Sequence, residues 1–339
     1  MKRAVLEGPG VLRILEDGVP EPEPGEALVR VERCGICGSD IHSFLGQHPL
    51  VAYPVTPGHE FSGTVTRVGR GLEEALVGRN VCVEPSITCG RCPQCQSGRY
   101  NICSDLKVMG FQAPGAFCEF VSVPVQKLHI LPEGVGFDEG ALAEPMAVGV
   151  HALGRSGASS GGNILVIGTG VIGLMVVTAA HAAGIGVFAV EADRARAKVA
   201  RSLGAEEVFS LSERLPRELA GALEGRQLQS VFECVGRADT ADMAIRLAPR
   251  GSTVVIIGVF PESVPIPMSL VQDGELDVRG TLMYTGDDFE MALDLLGKGA
   301  LRPADFITQR FPLEELERGY RTIVDPKTPT LKVMVEPGG

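Results

Sequence analysis

The sequence predicts an α/β protein in which a β-rich domain is joined to a doubly wound parallel-sheet domain. Three observations lead there. Residues 1 to about 145 consist of short alternating or apolar runs between Gly and Pro turns. From residue 146 to 284, apolar strands alternate with helical segments, the pattern of a parallel sheet covered on both faces. Inside that alternation, a glycine-rich turn follows a strand and opens a helix.

The elements follow in order. EALVRVERCGIC, EFSGTVTRVG, RNVCVEP and FCEFVSVP read as strands, and PEPEPGE, from Pro20, reads as a surface connector. MAVGVHALGRSG has helical apolar spacing. ILVIG, VFAVEA, SVFECVG, STVVIIGV and VRGTLMY then read as strands, with helices between the earlier ones. After Tyr284, DFEMALDLLGKG and PLEELERGYRTI read as amphipathic helices, and TLKVMVE as a last strand. These boundaries give one domain from residues 1–146 and 286–339, with a second, 147–285, inserted into it.

The 339 residues, 45% of them hydrophobic, suffice for two domains with large cores. The net charge of −11, without a basic cluster, argues against nucleic acid as a partner. MKRAVLEGPGVLRILEDG has no long apolar run, so no signal peptide is expected, and a cytoplasmic, reducing setting is. There, clustered cysteines bind metal rather than form disulfides. The apolar run from Asn163 is long enough to span a bilayer. Its closely placed glycines, His181 near its middle and Glu191 at its end fit a buried strand, turn and helix better, so no membrane span is expected.

ILVIGTGVIGLM holds Gly168, Gly170 and Gly173 as G-x-G-x-x-G in its required context, that of a Rossmann dinucleotide site. Gly168 permits the turn, Gly170 lets backbone approach a pyrophosphate, and Gly173 allows close helix–strand packing. Glu191, eighteen residues past Gly173, ends the next strand. A carboxylate there can accept hydrogen bonds from the ribose hydroxyls of NAD and repel the 2′-phosphate of NADP. NAD is therefore expected, with NADP kept open by Arg194 and Arg196.

CGRCPQCQSGRYNIC places Cys89, Cys92, Cys95 and Cys103 at C-x2-C-x2-C-x7-C spacing. Four thiolates so close can close a tetrahedron around a structural zinc ion. An iron–sulfur cluster is the rival, but the ferredoxin run has a shorter last gap and a Pro after the fourth Cys, where Ser104 stands here. The remaining pair, Cys34 and Cys37, lies in CGICGSDIH. Cys82, Cys118 and Cys234 are isolated in apolar runs and read as small buried thiols, so they do not complete a second four-cysteine site. Better partners are His59 and Glu60 in PGHEFSG, and Glu144 in LAEPMAVGVH. One thiolate, one imidazole and one carboxylate make a mixed zinc site with room for substrate.

Taken in order, GICGSDIH, GHEFSGTVTRVG, the four-cysteine lobe, EPMAVGVHAL and VIGTGVIGLM resemble the zinc-dependent medium-chain dehydrogenases of the alcohol dehydrogenase superfamily across essentially the whole chain. The Glu-Pro of AEPMAV resembles the polyol (sorbitol) and threonine dehydrogenase branch. The resemblance implies a GroES-like catalytic domain, two zinc ions per chain and a homotetramer. It assigns Cys37 and His59 to the catalytic zinc, with Glu60 and Glu144 exchanging at the third position, and Asp40 orienting His59. It gives Ser39 the proton of the substrate hydroxyl, passed through the cofactor ribose to His42. Ile172 and Arg196, and the backbone of Ile257, Gly258 and Val259, become further cofactor contacts. His48, His129, His151 and His181 are given no role and are expected to be structural or exposed.

The expected reaction is hydride transfer between a secondary alcohol and NAD, the alcohol being a polyol, cyclitol, sugar or sugar acid. The sorbitol enzymes carry an arginine where Met283 stands, which sets this chain apart from sorbitol itself. L-threonine is the alternative substrate, followed by a simple secondary alcohol or diol. A catalytically silent nucleotide-binding relative is the alternative of another class, but such relatives typically lack the zinc ligands that are present here.

Overall fold

The computed structural model describes residues 1–325 and 327–338. The chain divides into two compact units, one built from Met1–Glu144 with the chain from Thr285 onward, the other from Pro145–Tyr284.

The first unit is built on a seven-stranded sheet. Its central strand, Glu26–Ile36, is flanked by Glu60–Val68 and by Lys332–Glu336, both antiparallel to it. Phe120–Pro124 also pairs with it. Asn80–Val83 and Leu128–Ile130 extend one side, and Ile307–Pro312 lies parallel to Lys332–Glu336 on the other. Inward residues such as Val29, Val31, Phe61, Val65 and Val333 are excluded from water and join Phe117, Leu316 and Tyr320 in one core. Burying such side chains contributes about 1.5–3 kcal/mol each.

The second unit holds six parallel strands, ordered Ala205–Phe209, Gly186–Val190, Asn163–Ile167, Leu228–Glu233, Thr253–Ile256 and Asp277–Gly280. Counted along the chain this is 3-2-1-4-5-6, the doubly wound order, with its reversal point between Asn163–Ile167 and Leu228–Glu233. The Asn163–Ile167 strand is buried throughout because it lies inside the sheet. The apolar run from Asn163 therefore folds as strand, turn and the helix Val171–Ala182, as expected. Among the described residues no helix is long and apolar enough to cross a membrane.

Several elements differ from the sequence-based expectation, among them the unanticipated strand Ile307–Pro312 and helix Met268–Asp273, and two of the differences have a clear physical reason. AEEVF forms the strand Ala205–Phe209, which was not anticipated. Its paired glutamates mask the strand pattern, and they are tolerated because it is an edge strand with exposed positions. The helix expected from Met146 begins earlier and runs Phe137–Ser156, with Pro145 inside it. A proline within an apolar pattern reads as a boundary, yet it removes only one backbone donor from a helix otherwise buried at that point.

The glycine turn is set by close approach. Gly168 has φ 87°, and a Cβ on Gly173 would stand 1.9 Å from the Gly168 carbonyl oxygen. A Cβ on Gly170 would meet nothing within 4 Å. Gly173→Ala is therefore expected to destabilise the fold by about 1–3 kcal/mol, and Gly170→Ala by well under about 1 kcal/mol. Thermal melting of the two variants beside the parent chain checks this, and equal melting points would contradict it.

Candidate active site

Strand register assembles the centre. Gly35 stands opposite Glu60 across the antiparallel pair. Cys37 follows at the start of the helix Gly38–Phe44, and His59 immediately precedes Glu60. Cys37, His59 and Glu60 thereby each present a ligand atom, all within 4.8 Å of one another. Gly35 leaves the room this needs, since a Cβ there would stand 2.3 Å from Glu60 Oε2.

Asp40 is fully buried in the first turn of the Gly38–Phe44 helix. Its Oδ2 accepts from the Cys37 N–H at 2.9 Å, which fixes the turn carrying the thiol. Its Oδ1 faces His59 Nδ1 at 3.6 Å. Burial lowers the proton affinity of His59, but the Asp40 carboxylate and Cys37 outweigh it and hold the imidazole well above its ordinary pKa. Ser39 and His42 are half-buried and three apart on the same helix, so they share a face. Cys34 is completely enclosed, and burial pushes its thiol well above the usual range.

Glu60 has a partner that sequence reasoning did not single out. Lys332 Nζ donates to Glu60 Oε1 at 2.8 Å and Oε2 at 2.5 Å, and to the Ile36 carbonyl at 3.1 Å. Burial would pull the lysine down, yet Glu60, Cys37 and, more weakly, Glu144 keep its pKa raised. Glu144 is buried on the Phe137–Ser156 helix. It acts on Lys332 through its charge and is not one of the group of three.

The sulfurs of Cys89, Cys92, Cys95 and Cys103 also lie within 4.8 Å of one another. A zinc tetrahedron with Zn–S near 2.3 Å needs sulfur pairs about 3.8 Å apart. Cys89–Cys103, Cys92–Cys103 and Cys89–Cys95 measure 3.5, 3.8 and 4.0 Å. Backbone N–H groups point at the sulfurs, from Cys92 to Cys89 at 3.4 Å, Cys95 to Cys92 at 3.5 Å and Asp105 to Cys103 at 3.3 Å. Such bonds bring the Cys92 thiol down to about 5, while burial pushes Cys95 up to about 12. The donor set fits a thiophilic metal ion.

In the second unit, Gly170 caps the Val171–Ala182 helix, and Ile172 is half-buried in its first turn. Glu191 lies against this turn: its Oε2 accepts from Thr169 N at 2.7 Å and Thr169 Oγ1 at 3.0 Å, and its Oε1 from Asp193 N at 2.9 Å. Asp193 caps the next helix through Arg196 N. The amides of Ile257 and Gly258 donate to the Glu233 carbonyl, and Val259 is exposed. Glu233 is a second residue that sequence reasoning missed. It is fully buried, and its Oε1 accepts from Val235 N, Gly236 N and Thr240 Oγ1. One residue thus ties two loops at the sheet's carboxyl end.

Comparison with known proteins agrees with this geometry. Residues 23–133 match the family described as alcohol dehydrogenase GroES-like domain, and residues 171–298 match zinc-binding dehydrogenase. The chain is 30% identical over 345 residues to sorbitol dehydrogenase of Bacillus subtilis, covering 99% of this chain and 97% of that one. A zinc-binding dehydrogenase from Sinorhizobium meliloti 1021, solved with NADP, is 34% identical at a TM-score of 0.88, covering 99% of each chain. An alcohol dehydrogenase of E. coli CFT073, solved with NADH, is 29% identical at a TM-score of 0.91 with the same coverage. The GroES-like and Rossmann expectations are both met. The chain belongs to the zinc-dependent medium-chain dehydrogenases of the alcohol dehydrogenase superfamily, enzymes that oxidise and reduce alcohols with a nicotinamide cofactor.

Proposed function

We propose that the chain is a zinc- and NAD-dependent dehydrogenase of polyhydroxylated secondary alcohols: polyols, cyclitols, sugars or sugar acids. The observation that carries this is the group Cys37, His59 and Glu60, a thiol, an imidazole and a carboxylate in the mixed pattern of catalytic zinc. Cys37, His59 and either Glu60 or Glu144 would hold that ion, and Cys89, Cys92, Cys95 and Cys103 a structural one. The place of Glu60 in the group supports it as the resting third ligand. Its two bonds to Lys332 support exchange, because they give the carboxylate a second home when Glu144 takes the position.

When bound, zinc supplies a Lewis acid and the nicotinamide a hydride acceptor, for the overall conversion of a secondary hydroxyl to a carbonyl. Ser39 takes the hydroxyl proton, and His42, on the same helix face, carries it toward solvent. Asp40 orients His59. Gly168, Gly170, Gly173 and Ile172 receive the pyrophosphate at a helix N-terminus. Glu191 and Arg196 meet the adenosine, and the backbone of Ile257, Gly258 and Val259 aligns the ring. The carboxylate of Glu191, already held against the glycine turn, supports NAD over NADP. The substrate class rests on Glu144 in its Glu-Pro setting and on similarity to sorbitol dehydrogenase. The homotetramer rests on the resemblance alone, and the cytoplasmic setting on the clustered cysteines of metal-binding spacing.

The test is reduction of NAD and NADP by zinc-loaded protein against polyols, inositols, sugar acids, aldoses, L-threonine and short secondary alcohols. Turnover of a polyhydroxylated compound with NAD is expected. Turnover with threonine or simple alcohols alone would keep the chemistry and overturn the substrate class. Among variants, Glu144→Gln is expected to lower turnover about 10–100-fold, the scale of losses at groups that support a metal. Cys34→Ser should change it much less. Equal losses in the two zinc-loaded variants would contradict the choice of cysteine and carboxylate.

A further inference from the structure

The sequence left His48 without a role, and the structure gives it a definite position. Beyond the Gly38–Phe44 helix the chain folds back, and the N–H groups of Gln47 and His48 both donate to the His42 carbonyl, at 2.7 and 3.2 Å. The His48 ring then stacks on Phe111, centroids 4.6 Å apart and planes within 9°. The same Phe111 ring lies 5.0 Å from His59. One phenyl ring therefore separates His48 from a candidate metal ligand. The fields of His42, Asp40 and His59 all reach His48.

The ring is also fixed in rotation and in proton position. Its Nδ1 accepts from the Leu50 N–H at 3.2 Å, so a neutral imidazole carries its proton on Nε2. Burial and the neighbouring His42 favour the neutral form. Nε2 has no hydrogen-bond partner among the described residues. The supporting loop is pinned to the Phe111 segment, with Ala52 N donating to the Phe111 carbonyl at 3.1 Å and Gln112 Nε2 to the Leu50 carbonyl at 2.7 Å. An oriented donor with a stacked, immobilised ring loses little freedom on binding.

We propose that His48 donates a hydrogen bond from Nε2 to a second oxygen of the substrate, and so selects polyhydroxylated over monohydroxylated alcohols. This rests on the functional reading above and adds the residue that enforces its substrate class. A donor beside the catalytic centre discriminates because an alcohol with a single hydroxyl leaves it unpaired. Phe111, between the two imidazoles, sets the spacing from the reacting carbon to the second oxygen.

The experiment compares kcat/KM for 2,3-butanediol and 2-butanol, which share a skeleton and differ by one hydroxyl, with D-sorbitol as a third probe. His48→Phe keeps the stack on Phe111 and deletes the donor, and His48→Gln keeps a donor. In His48→Phe, kcat/KM for the diol and for sorbitol is expected to fall about tenfold, the worth of one hydrogen bond. That for 2-butanol should stay within about twofold of wild type, and His48→Gln should lie nearer wild type than His48→Phe does. An unchanged diol preference in His48→Phe, or equal losses on diol and mono-alcohol, would overturn the inference while leaving the dehydrogenase intact. Wild-type protein that prefers 2-butanol to the diol would overturn the inference together with the functional reading beneath it.

Discussion

The ion pair between Glu60 and Lys332 is almost wholly removed from water, and the candidate metal centre is organised around it. Two charges taken from water cost several kcal/mol each, and only close, multiple contacts offset that. Here the lysine makes both carboxylate contacts and a third to the Ile36 carbonyl. Those contacts require Lys332–Glu336 to lie beside Glu26–Ile36, which in turn lies beside Glu60–Val68. The same register puts Cys37 next to His59. A slip of one residue would turn Glu60 to the other face of its strand and scatter the group. The pair therefore couples the last strand of the fold to the chemistry near its beginning.

The two cysteine-containing groups obey different physics. The Cys89–Cys103 lobe holds only short helical turns and little apolar core, so cross-linking through a metal ion would be its main source of order. It is moored at one polar point. Tyr100 donates to Glu84 Oε2 at 3.2 Å, Lys127 Nζ reaches Glu84 Oε1 at 2.6 Å, and the lysine lies over the tyrosine ring. The Cys37 group instead sits at the ends of long, mutually paired sheet strands. A site built on strands can keep an open position, whereas a lobe built on loops needs all four ligands to close.

Much of this was legible in the sequence, for reasons that can be named. Cys89, Cys92, Cys95 and Cys103 lie within one short segment, so spacing alone implies proximity. Gly168, Gly170 and Gly173 sit in a local strand–turn–helix, and their order reads directly. His59 and Glu60 were matched to the Cys34–Cys37 segment by donor chemistry, but the choice of Cys37 over Cys34 came only through the resemblance of the surrounding motifs. Lys332 was out of reach: it is 272 residues from Glu60 and looks like a surface residue of an ordinary strand. Glu233 was hidden likewise in an apolar strand, and His48 in a loop whose packing against Phe111 depends on tertiary structure. AEEVF shows the converse failure, where polar residues on an edge strand obscured a real element.

The most direct test of the account is the zinc content of metal-saturated, gel-filtered protein, measured by atomic emission for wild type, Cys37→Ser and Cys103→Ser. Two independent centres predict two zinc ions per wild-type chain and one in each variant, with Cys37→Ser retaining the wild-type melting temperature more closely than Cys103→Ser. A single zinc ion in the wild type, or two retained in Cys37→Ser, would contradict the assignment of Cys37, His59 and Glu60 as a metal centre.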